Sequence, residues 1–539
     1  MRAMAELRLF GRSAAPGMAD GVVTVLGAPQ RSRREAGTPA EETLALKDAL
    51  AQALAEVEAL AGRAIGDARD MLAFQAAMLS DDELSRPAFE SIAGGASAST
   101  AWHDAMAHEI SGYRANEDAY FSARAADLED IRDRVLGHLA PAADGAPIPG
   151  GSVVVAADLP LSRFLGIDWA QGGAIVLTEG SPTSHVAMLA RARGVPMVVG
   201  LGAAADSMAG REALVDAASG EVVLDPTEET RNAFSARAGC AEVAAAATGA
   251  FLQRSAVTKD GTAISVNLNA ASADELEGID PAICDGIGLV RTELMFYGPG
   301  GPPDEEVQYN AYRRILNWAQ GRPVTIRTLD AGGDKPIEGV TMSGESNPFL
   351  GVRGIRLSLR HPALFQTQLR ALARAAVHGD LRVMLPMVTV PAELEASRKL
   401  LDEAMMSLAR DRIPAVRPQL GIMIEVPAAA IAVNLFDADF FSIGSNDLTQ
   451  YVTAAGRDIG AVADLADPLN PAVLRLIASV ARHGQESGRG VSLCGDAGGE
   501  PRMIGALLRA GLRSLSVAPQ SVAAAKQAIT AVDLREAMP

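Results

Sequence analysis

The segment Phe440-Phe441-Ser442-Ile443-Gly444-Ser445-Asn446-Asp447 has the pattern that decides the fold of the second half of the chain. A short, mostly apolar run has the length of a buried strand, and glycine and polar residues follow it at once. Similar runs recur with helical patterns between them: Ile264–Leu268, Ile287–Val290, Val324–Ile326, Arg382–Pro386, Leu420–Ile424, Phe440–Ile443, Val491–Leu493 and Ser514–Val517. Eight strands that alternate with helices predict a (β/α)8 TIM barrel, with a doubly wound open sheet as the alternative.

Polar or charged residues follow five of these runs at the point where each predicted strand ends. They are Arg291, Arg327, Glu425, the pair Asn446 and Asp447, and Cys494. A barrel builds its active site at the carboxyl ends of its strands. Five such endings at one mouth are more typical of a functional site than of a solvated surface.

Arginines dominate this set of residues. Arg291, Arg327 and Arg457 are fixed positive charges that can bind phosphate or carboxylate through two hydrogen bonds, and Arg353 is a fourth candidate. Taken singly, each is equally compatible with a surface ion pair. Together they indicate a small substrate with several negative charges.

The remaining strand-end residues suggest a metal and a proton donor. Glu425 and Asp447 supply two carboxylates, enough for Mg²⁺ that shares its other positions with water and substrate oxygens. Asn446 adds a neutral hydrogen-bonding group. The Cys494 thiol can act as a general acid, and the alternative is a buried structural cysteine. No Walker A loop or dinucleotide fingerprint is present, so the sequence indicates phosphoryl chemistry without a nucleotide.

A histidine in the first half of the chain is the candidate nucleophile. The apolar run Ala174–Leu177 predicts a strand, a turn follows, and helical spacing begins after His185. His185 therefore lies at a helix start with Thr183 or Ser184 as its N-cap, where the helix dipole favours an anion and a neutral imidazole. The alternative is a histidine that only caps the helix.

The distribution of strand and helix signals predicts four regions. Residues 1–27 and 144–226 form an α/β domain that contains His185, residues 28–143 form an inserted helical bundle, 227–256 a linker helix, and 257–539 the barrel. The formal charge of −18 argues against nucleic acid and anionic membranes as partners. Three widely spaced cysteines and the lack of a signal or membrane-spanning segment predict a cytoplasmic protein.

Four barrel motifs resemble those of the phosphoenolpyruvate (PEP)-utilising enzyme family. They are Gly286-Ile-Gly-Leu-Val-Arg-Thr-Glu293, Ile326-Arg-Thr-Leu-Asp-Ala-Gly-Gly-Asp-Lys335, Gly421-Ile-Met-Ile-Glu425 and Ser442-Ile-Gly-Ser-Asn-Asp-Leu-Thr-Gln-Tyr451. Together with Thr183-Ser184-His185 and the helical segment that contains residues 123–131, they make nearly the whole chain similar to the Enzyme I group of bacterial phosphotransferase systems.

This resemblance implies a phosphohistidine swivelling domain, an inserted bundle that docks an HPr-like phosphocarrier, and a barrel that forms a homodimer. It implies that His185 takes the phosphoryl group of PEP on Nε2 and that Cys494 protonates the enolpyruvate carbon. Glu425 and Asp447 would bind Mg²⁺. The phosphate would be held by Arg291, Arg327, Asn446 and Arg457, with Arg353 nearby on the substrate. The resemblance leaves open a sugar-uptake or a nitrogen-type pathway; the lack of an N-terminal sensor domain favours sugar uptake.

The chain departs from the family pattern near the histidine and in the bundle. The departures are Glu179-Gly180-Ser181-Pro182 for the usual Gly-Gly, Pro160 for a threonine, Ala77 for a frequent histidine, and Asp496 for glutamate. We expect them to weaken transfer or change the accepted carrier. Two alternatives remain: a catalytically impaired regulatory member, and a PEP synthase or pyruvate phosphate dikinase, which would need a nucleotide-binding domain that the sequence does not indicate.

Overall fold

The structure, a computed structural model, describes residues 6–26, 37–61, 72, 75–114, 119–139, 148–159, 161–180, 185–202, 208–296, 301–332, 337, 340–342, 345, 347–456, 462 and 465–535. The chain divides into two compact units, Met1–Val243 and Ala244–Pro539. The boundary falls inside one long helix, Glu228–Gly249.

The first unit contains an eight-stranded mixed sheet. Its strands are β1 (Leu7–Phe10), β2 (Arg12–Ala15), β3 (Met18–Val25), β4 (Val153–Ala156), β5 (Ala174–Leu177), β6 (Met197–Val199), β7 (Glu212–Asp216) and β8 (Glu221–Leu224). They are arranged in the order β1-β8-β7-β3-β4-β5-β6-β2. The central strands β3 to β6 are parallel, and β4 and β5 are buried along their whole length. Continuous apolar strands of this kind are typical of a sheet covered on both faces.

Helices complete the first unit. They are α1 (Pro39–Ala61), α2 (Asp82–Ala93), α3 (Ala98–Arg114), α4 (Ala119–Leu139), α5 (Leu161–Gly166), α6 (His185–Arg193) and α7 (Glu228–Gly249). Helices α1 to α4 lie between β3 and β4 in sequence and have their own apolar core, which includes Leu46, Trp102, Met106 and Val135. The predicted α/β domain with an inserted helical bundle is therefore confirmed.

The second unit is a closed parallel barrel. Its strands are β9 (Ser265–Ala270), β10 (Ile287–Val290), β11 (Val324–Arg327), β12 (Leu381–Leu385), β13 (Gln419–Ile424), β14 (Phe440–Ile443), β15 (Gly490–Leu493) and β16 (Ser514–Val517). Parallel pairing of β16 with β9 closes the sheet on itself. The predicted (β/α)8 barrel is confirmed, and the open doubly wound sheet is wrong.

Helices cover the outside of the barrel. They are α8 (Glu305–Ala319), α9 (Ile355–Arg360), α10 (Pro362–Ala375), α11 (Pro391–Arg410), α12 (Pro427–Ile431), α13 (Ser445–Thr453), α14 (Pro471–Ser487), α15 (Pro501–Arg509) and α16 (Val522–Thr530). Helix α14 buries Val473, Ile477 and Val480, three to four residues apart, as an amphipathic helix against a core requires. The strands' outward side chains join this outer core, so alternate residues point into the barrel.

Candidate active site

Two buried arginines and three carboxylates form a connected cluster at the carboxyl end of the barrel. The Arg327 guanidinium lies 3.1 Å from Glu293 Oε1 and 3.1 Å from Asp330 Oδ2. Arg353 lies 2.9 Å from Asp330 and 3.2 Å from Asp447. Asp330 thus bridges both guanidinium groups, and the four contacts join the ends of separate βα segments into one network.

Glycines permit the close approach that brings Arg353 to this cluster. Gly332 and Gly354 have φ angles of +106° and +58°, in the left-handed region that favours glycine. A Cβ atom at Gly354 would lie 2.9 Å from Met387 Cβ and 3.2 Å from Asp330 Oδ1. Side chains at this position would push the Arg353 segment away from Asp330.

The buried cluster carries more negative than positive charge. Its acidic members include Glu425, and the buried charged groups Glu293, Arg327, Asp330, Arg353, Glu425 and Asp447 are between 1% and 7% exposed. Four carboxyl groups against two guanidinium groups would leave an excess of two negative charges among these six buried residues if all four carboxyl groups were ionised. Burial by itself would lower the pKa of Arg327, but the Glu293 and Asp330 carboxylates outweigh it and raise that pKa. Both arginines therefore stay charged.

The pKa of Glu425 reflects these buried, negatively charged surroundings. Burial, reinforced by Asp447 and Asp330, raises the pKa of Glu425 to about 8. Its Oε1 accepts a hydrogen bond of 2.6 Å from the Met387 N–H, whose residue has a φ angle of +59°. Strained backbone of this kind is frequent at functional sites.

These carboxylates fit a divalent cation. A dication would favour the ionised form of Glu425 and offset the negative charge of the ionised carboxylates, and Glu425 and Asp447 offer the oxygen donors that Mg²⁺ prefers. Among the described residues no group of three or more His, Cys, Asp or Glu side chains is arranged to hold a metal. A site with two protein ligands, completed by substrate oxygens and water, is consistent with that observation.

Cys494 lies in the barrel interior just below this cluster. It is 2% exposed and packs with Leu289, Met384, Met423 and Phe440. Burial raises the pKa of Cys494 to about 11, so the thiol is protonated at neutral pH. A protonated thiol at the barrel mouth can donate a proton, as the sequence suggested.

Asn446 is held by a reciprocal pair of hydrogen bonds. Its Nδ2 donates to Asp496 Oδ2 at 2.9 Å, and its Oδ1 accepts from the Asp496 N–H at 3.1 Å. Gly495 leaves the space for this arrangement, because a Cβ there would lie 1.9 Å from Ser445 Oγ. Asp496, which stands where the family usually has glutamate, therefore directly contacts Asn446, a residue predicted to bind the substrate.

The structure brings together six of the predicted barrel residues: Arg327, Arg353, Glu425, Asn446, Asp447 and Cys494. Arg291 follows β10 at the same mouth and is half-buried; it contributes positive potential at Cys494. Arg457 and the Ser181–Ser184 loop lie outside the described residues, as does Pro160. Helix α6 begins at His185, the predicted position, and the side chain of His185 is not among those described.

Sequence reasoning assigned no role to three residues of the cluster. Glu293 pairs with Arg327, and Asp330 pairs with both arginines. The Tyr451 hydroxyl accepts a hydrogen bond from Arg353 at 3.4 Å and donates one to the Phe349 carbonyl at 2.6 Å. Glu293 and Asp330 stand within three residues of strand ends, which was the available signal. Tyr451 lies on helix α13, and nothing in its local sequence indicated the contact.

Comparison with known proteins gives matches over nearly the whole chain. Three descriptions match in succession: "PEP-utilising enzyme, N-terminal" over residues 10–124, "mobile domain" over 148–220 and "PEP-binding domain" over 245–534. Relatives named phosphoenolpyruvate-protein phosphotransferase include one from Enterococcus faecalis, 35% identical over 96% of this chain and 93% of the relative. Another, from Geobacillus stearothermophilus, is 34% identical over 99% and 95%. A third, from Haloferax volcanii, is 40% identical over 77% and 73%.

Within the part of the chain that the structure describes, none of the helices has the length and hydropathy that a bilayer crossing requires.

Proposed function

The chain belongs to the phosphoenolpyruvate-protein phosphotransferases of the PEP-utilising enzyme family, and we propose that it moves the phosphoryl group of PEP first to His185 and then to a histidine of an HPr-like phosphocarrier. The protein is thus a transferase that uses PEP as phosphoryl donor and a phosphocarrier protein as acceptor. The observation that carries the site assignment is the buried arginine–carboxylate cluster at the barrel mouth. The comparisons give no support to a catalytically impaired member.

The arginines bind and orient PEP. Arg291, Arg327 and Arg457, with Asn446, hold the phosphate, and Arg353 lies nearby on the substrate. Phosphoryl transfer depends mainly on positioning and charge neutralisation, which preorganised guanidinium groups supply without reorganisation. The existing ion pairs to Glu293 and Asp330 keep Arg327 and Arg353 in place before substrate arrives.

Enzymes of this family depend on a metal ion, and we propose Mg²⁺ with Glu425 and Asp447 as its protein ligands. When bound, it would supply positive charge to the oxygens of the transferring group. Glu425 and Asp447 themselves are fixed by the Met387 N–H and by Arg353.

His185 is the proposed nucleophile, and Cys494 the proposed general acid. As the first residue of α6, His185 lies where the positive end of the helix dipole favours a bound anion, by about 0.3–1 kcal/mol. That is small enough for the phosphoryl group to leave again. Cys494 donates its proton to the enolpyruvate carbon as pyruvate forms.

Each of the four predicted regions of the chain has its own proposed role. We assign residues 1–27 and 144–226 to the phosphohistidine domain, 28–143 to carrier docking, 227–256 to a linker helix and 257–539 to PEP binding and homodimer formation. A mobile histidine that serves two partners suits a domain separate from the barrel. We place the protein in the cytoplasm, where Cys284 and Cys494 would stay as free thiols.

Labelling with PEP that carries radioactive phosphorus tests the proposal. With Mg²⁺, we expect an acid-labile, base-stable label on the protein that is lost in His185→Ala. His108→Ala, at an exposed histidine on α3, is the matched control and should label normally. Persistent labelling of His185→Ala would remove that residue from the mechanism, and label that arrives from ATP would favour a dikinase.

A further inference from the structure

Gln368 on helix α10 makes three hydrogen bonds in the interior of the second unit. Its Oε1 accepts from the Leu329 N–H at 3.0 Å, and its Nε2 donates to Thr292 Oγ1 at 3.3 Å and to the Tyr312 hydroxyl at 3.2 Å. Gln368 is 1% exposed, and Thr292 and Tyr312 are fully buried. Both polar hydrogens of this amide are therefore used, and the amide links helices α8 and α10 to the ends of β10 and β11.

The bond to Leu329 fixes the orientation of the Gln368 amide. A backbone N–H can only donate, so Oε1 faces Leu329 and Nε2 faces the two hydroxyl groups. Thr292 then accepts from Gln368 and uses its own proton for the Arg327 carbonyl, to which it donates at 3.0 Å. Each donor in this network has an acceptor, and fully satisfied buried networks are rigid.

Tyr312 and Gln308 extend the network along helix α8. The Tyr312 hydroxyl donates to Gln308 Oε1 at 3.2 Å, and Gln308 Nε2 donates to the Pro303 carbonyl at 2.9 Å. Gln308 is also fully buried. Burial raises the pKa of Tyr312, so its hydroxyl stays protonated and can donate. A continuous path of hydrogen bonds therefore runs from the segment before α8 to the Arg327 carbonyl at the barrel mouth.

The segment from Arg327 to Asp330 carries two members of the buried cluster, which pair with each other at 3.1 Å. The ladder between β10 and β11 ends before this segment, so strand pairing with β10 no longer fixes it. Side chains do so instead. Thr292 donates to the Arg327 carbonyl, Gln368 accepts from the N–H two residues later, and Glu293 accepts from the Asp330 N–H at 3.2 Å. The direction of the Arg327 side chain therefore depends on these bonds.

We infer that Gln368 is a positioning residue for the Arg327 guanidinium. It is buried and acts through the Leu329 N–H and Thr292. Without its amide, Leu329 loses an acceptor and Thr292 loses a donor, so the Arg327 segment is held by fewer bonds. Phosphoryl transfer depends on preorganised charge, and a small displacement of such a group costs much activity. This inference rests on the proposed function, in which Arg327 binds the phosphate of PEP.

The rate of His185 phosphorylation at a series of PEP concentrations, with Mg²⁺ and the full chain, tests this inference. Gln368→Met keeps the length of the side chain but removes its three hydrogen bonds. We expect the half-saturating PEP concentration to rise and the second-order rate constant to fall about 10- to 100-fold, the usual effect of removing a group that orients a ligand-binding side chain. Loss of folded protein would lower only the amplitude, because a first-order rate constant does not depend on the folded fraction.

Gln366→Met is the matched control for this substitution. Gln366 is half-buried two residues earlier on the same helix, and its amide faces Leu400 and Ala404 of α11. The change in side chain is identical, but it lies away from the Arg327 segment. We expect wild-type rate constants for Gln366→Met. Equal rate constants for Gln368→Met and Gln366→Met would overturn the inference.

A second pair of variants tests the same network without changing helix α10. Thr292→Val removes the hydroxyl at constant shape and should reduce the second-order rate constant as Gln368→Met does. Thr292→Ser keeps the hydroxyl and should recover most of that loss. If Gln368→Met does not fold, this pair decides. Equal rate constants for Thr292→Val and Thr292→Ser would show that the hydroxyl network does not position Arg327.

A double-mutant cycle tests whether the effect passes through Arg327. In an Arg327→Lys background the guanidinium group that Gln368 positions is absent, so Gln368→Met should reduce the second-order rate constant by at most about threefold more. In an Arg398→Lys background, outside the cluster, it should have its full effect. Full multiplication of the Gln368→Met and Arg327→Lys effects would overturn the inference.

The same measurements separate failure of this inference from failure of the proposed function. If PEP does not phosphorylate the wild-type chain, the proposed function is wrong and the role of Gln368 falls with it. If the wild type reacts and Arg327→Lys is slow, but Gln368→Met and Thr292→Val react as the wild type does, only the role of Gln368 is wrong.

Discussion

The barrel mouth and the start of helix α6 are built on opposite principles. At the mouth, six charged side chains are nearly inaccessible, and five of them cross-link one another through ion pairs of 2.9–3.2 Å. Before α6, Glu179 and Gly180 are exposed at the end of a buried strand. A site that must hold a small anion in one orientation gains from rigid, preorganised charges. A site that must meet two partners in turn gains from an accessible helix start and weak electrostatics.

Loss of the Asp330 carboxylate, which pairs with both Arg327 and Arg353, should have the largest effect. Asp330→Asn removes the shared partner of Arg327 and Arg353 and leaves two buried guanidinium groups less well paired. We expect the barrel to lose about 3–5 kcal/mol of stability. Denaturant unfolding followed by barrel tryptophan fluorescence measures this loss. Asp437→Asn, at an exposed ion pair, should change it little. Equal losses in both variants would show that the bridge adds nothing.

Loss of the planar guanidinium group of one arginine, with its paired N–H donors, should have the next largest effect. Arg327→Lys keeps the charge but cannot pair with Glu293 and Asp330 and bind phosphate in the same geometry. We expect kcat/KM for PEP to fall about 10²–10³-fold. Arg398→Lys, at a half-buried arginine outside the cluster, is the control and should stay near wild type. Wild-type kinetics in Arg327→Lys would mean that charge alone suffices.

The stabilisation that Mg²⁺ gives should depend on pH because Glu425 must be ionised to bind it. Its pKa without metal is raised to about 8, above its ordinary value, so the folded protein binds more protons than the unfolded chain between about pH 4.5 and 8. Metal-free stability from this group is therefore present at low pH and is lost as pH rises through 8. We expect Mg²⁺ to raise the thermal midpoint more at pH 8 than at pH 6. Glu425→Gln should abolish that difference; a pH-independent Mg²⁺ shift would place the metal elsewhere.

The smallest effect should come from the segment before α6. Glu179→Gln removes an exposed negative charge six residues before His185 in the chain. Surface electrostatics of about 0.3–1 kcal/mol predict a two- to five-fold faster phosphorylation of His185, and less at high salt. Glu212→Gln, an exposed glutamate elsewhere in the same unit, is the control. A change larger than tenfold would show that the loop before His185 is as tightly organised as the mouth.

Local patterns predicted the barrel strands with bounds that agree within two residues, because an apolar run of strand length between helical segments has few other interpretations. They did not predict β1 and β2. Both are short edge strands with exposed residues, and Arg8 and Arg12 interrupt any apolar run there. Pairing with β8 and β6, far along the chain, is what makes them strands.

The sequence by itself determined which side chains stand at the barrel mouth, since a parallel strand delivers the residue after its carboxyl end to one edge whatever its neighbours are. Only the tertiary structure decided which charges meet. Asp330, which pairs with Arg327, also pairs with Arg353 across 23 residues, and Asn446 pairs with Asp496 across 50. Such contacts depend on register and burial between distant segments, and those are fixed only when the whole sheet closes.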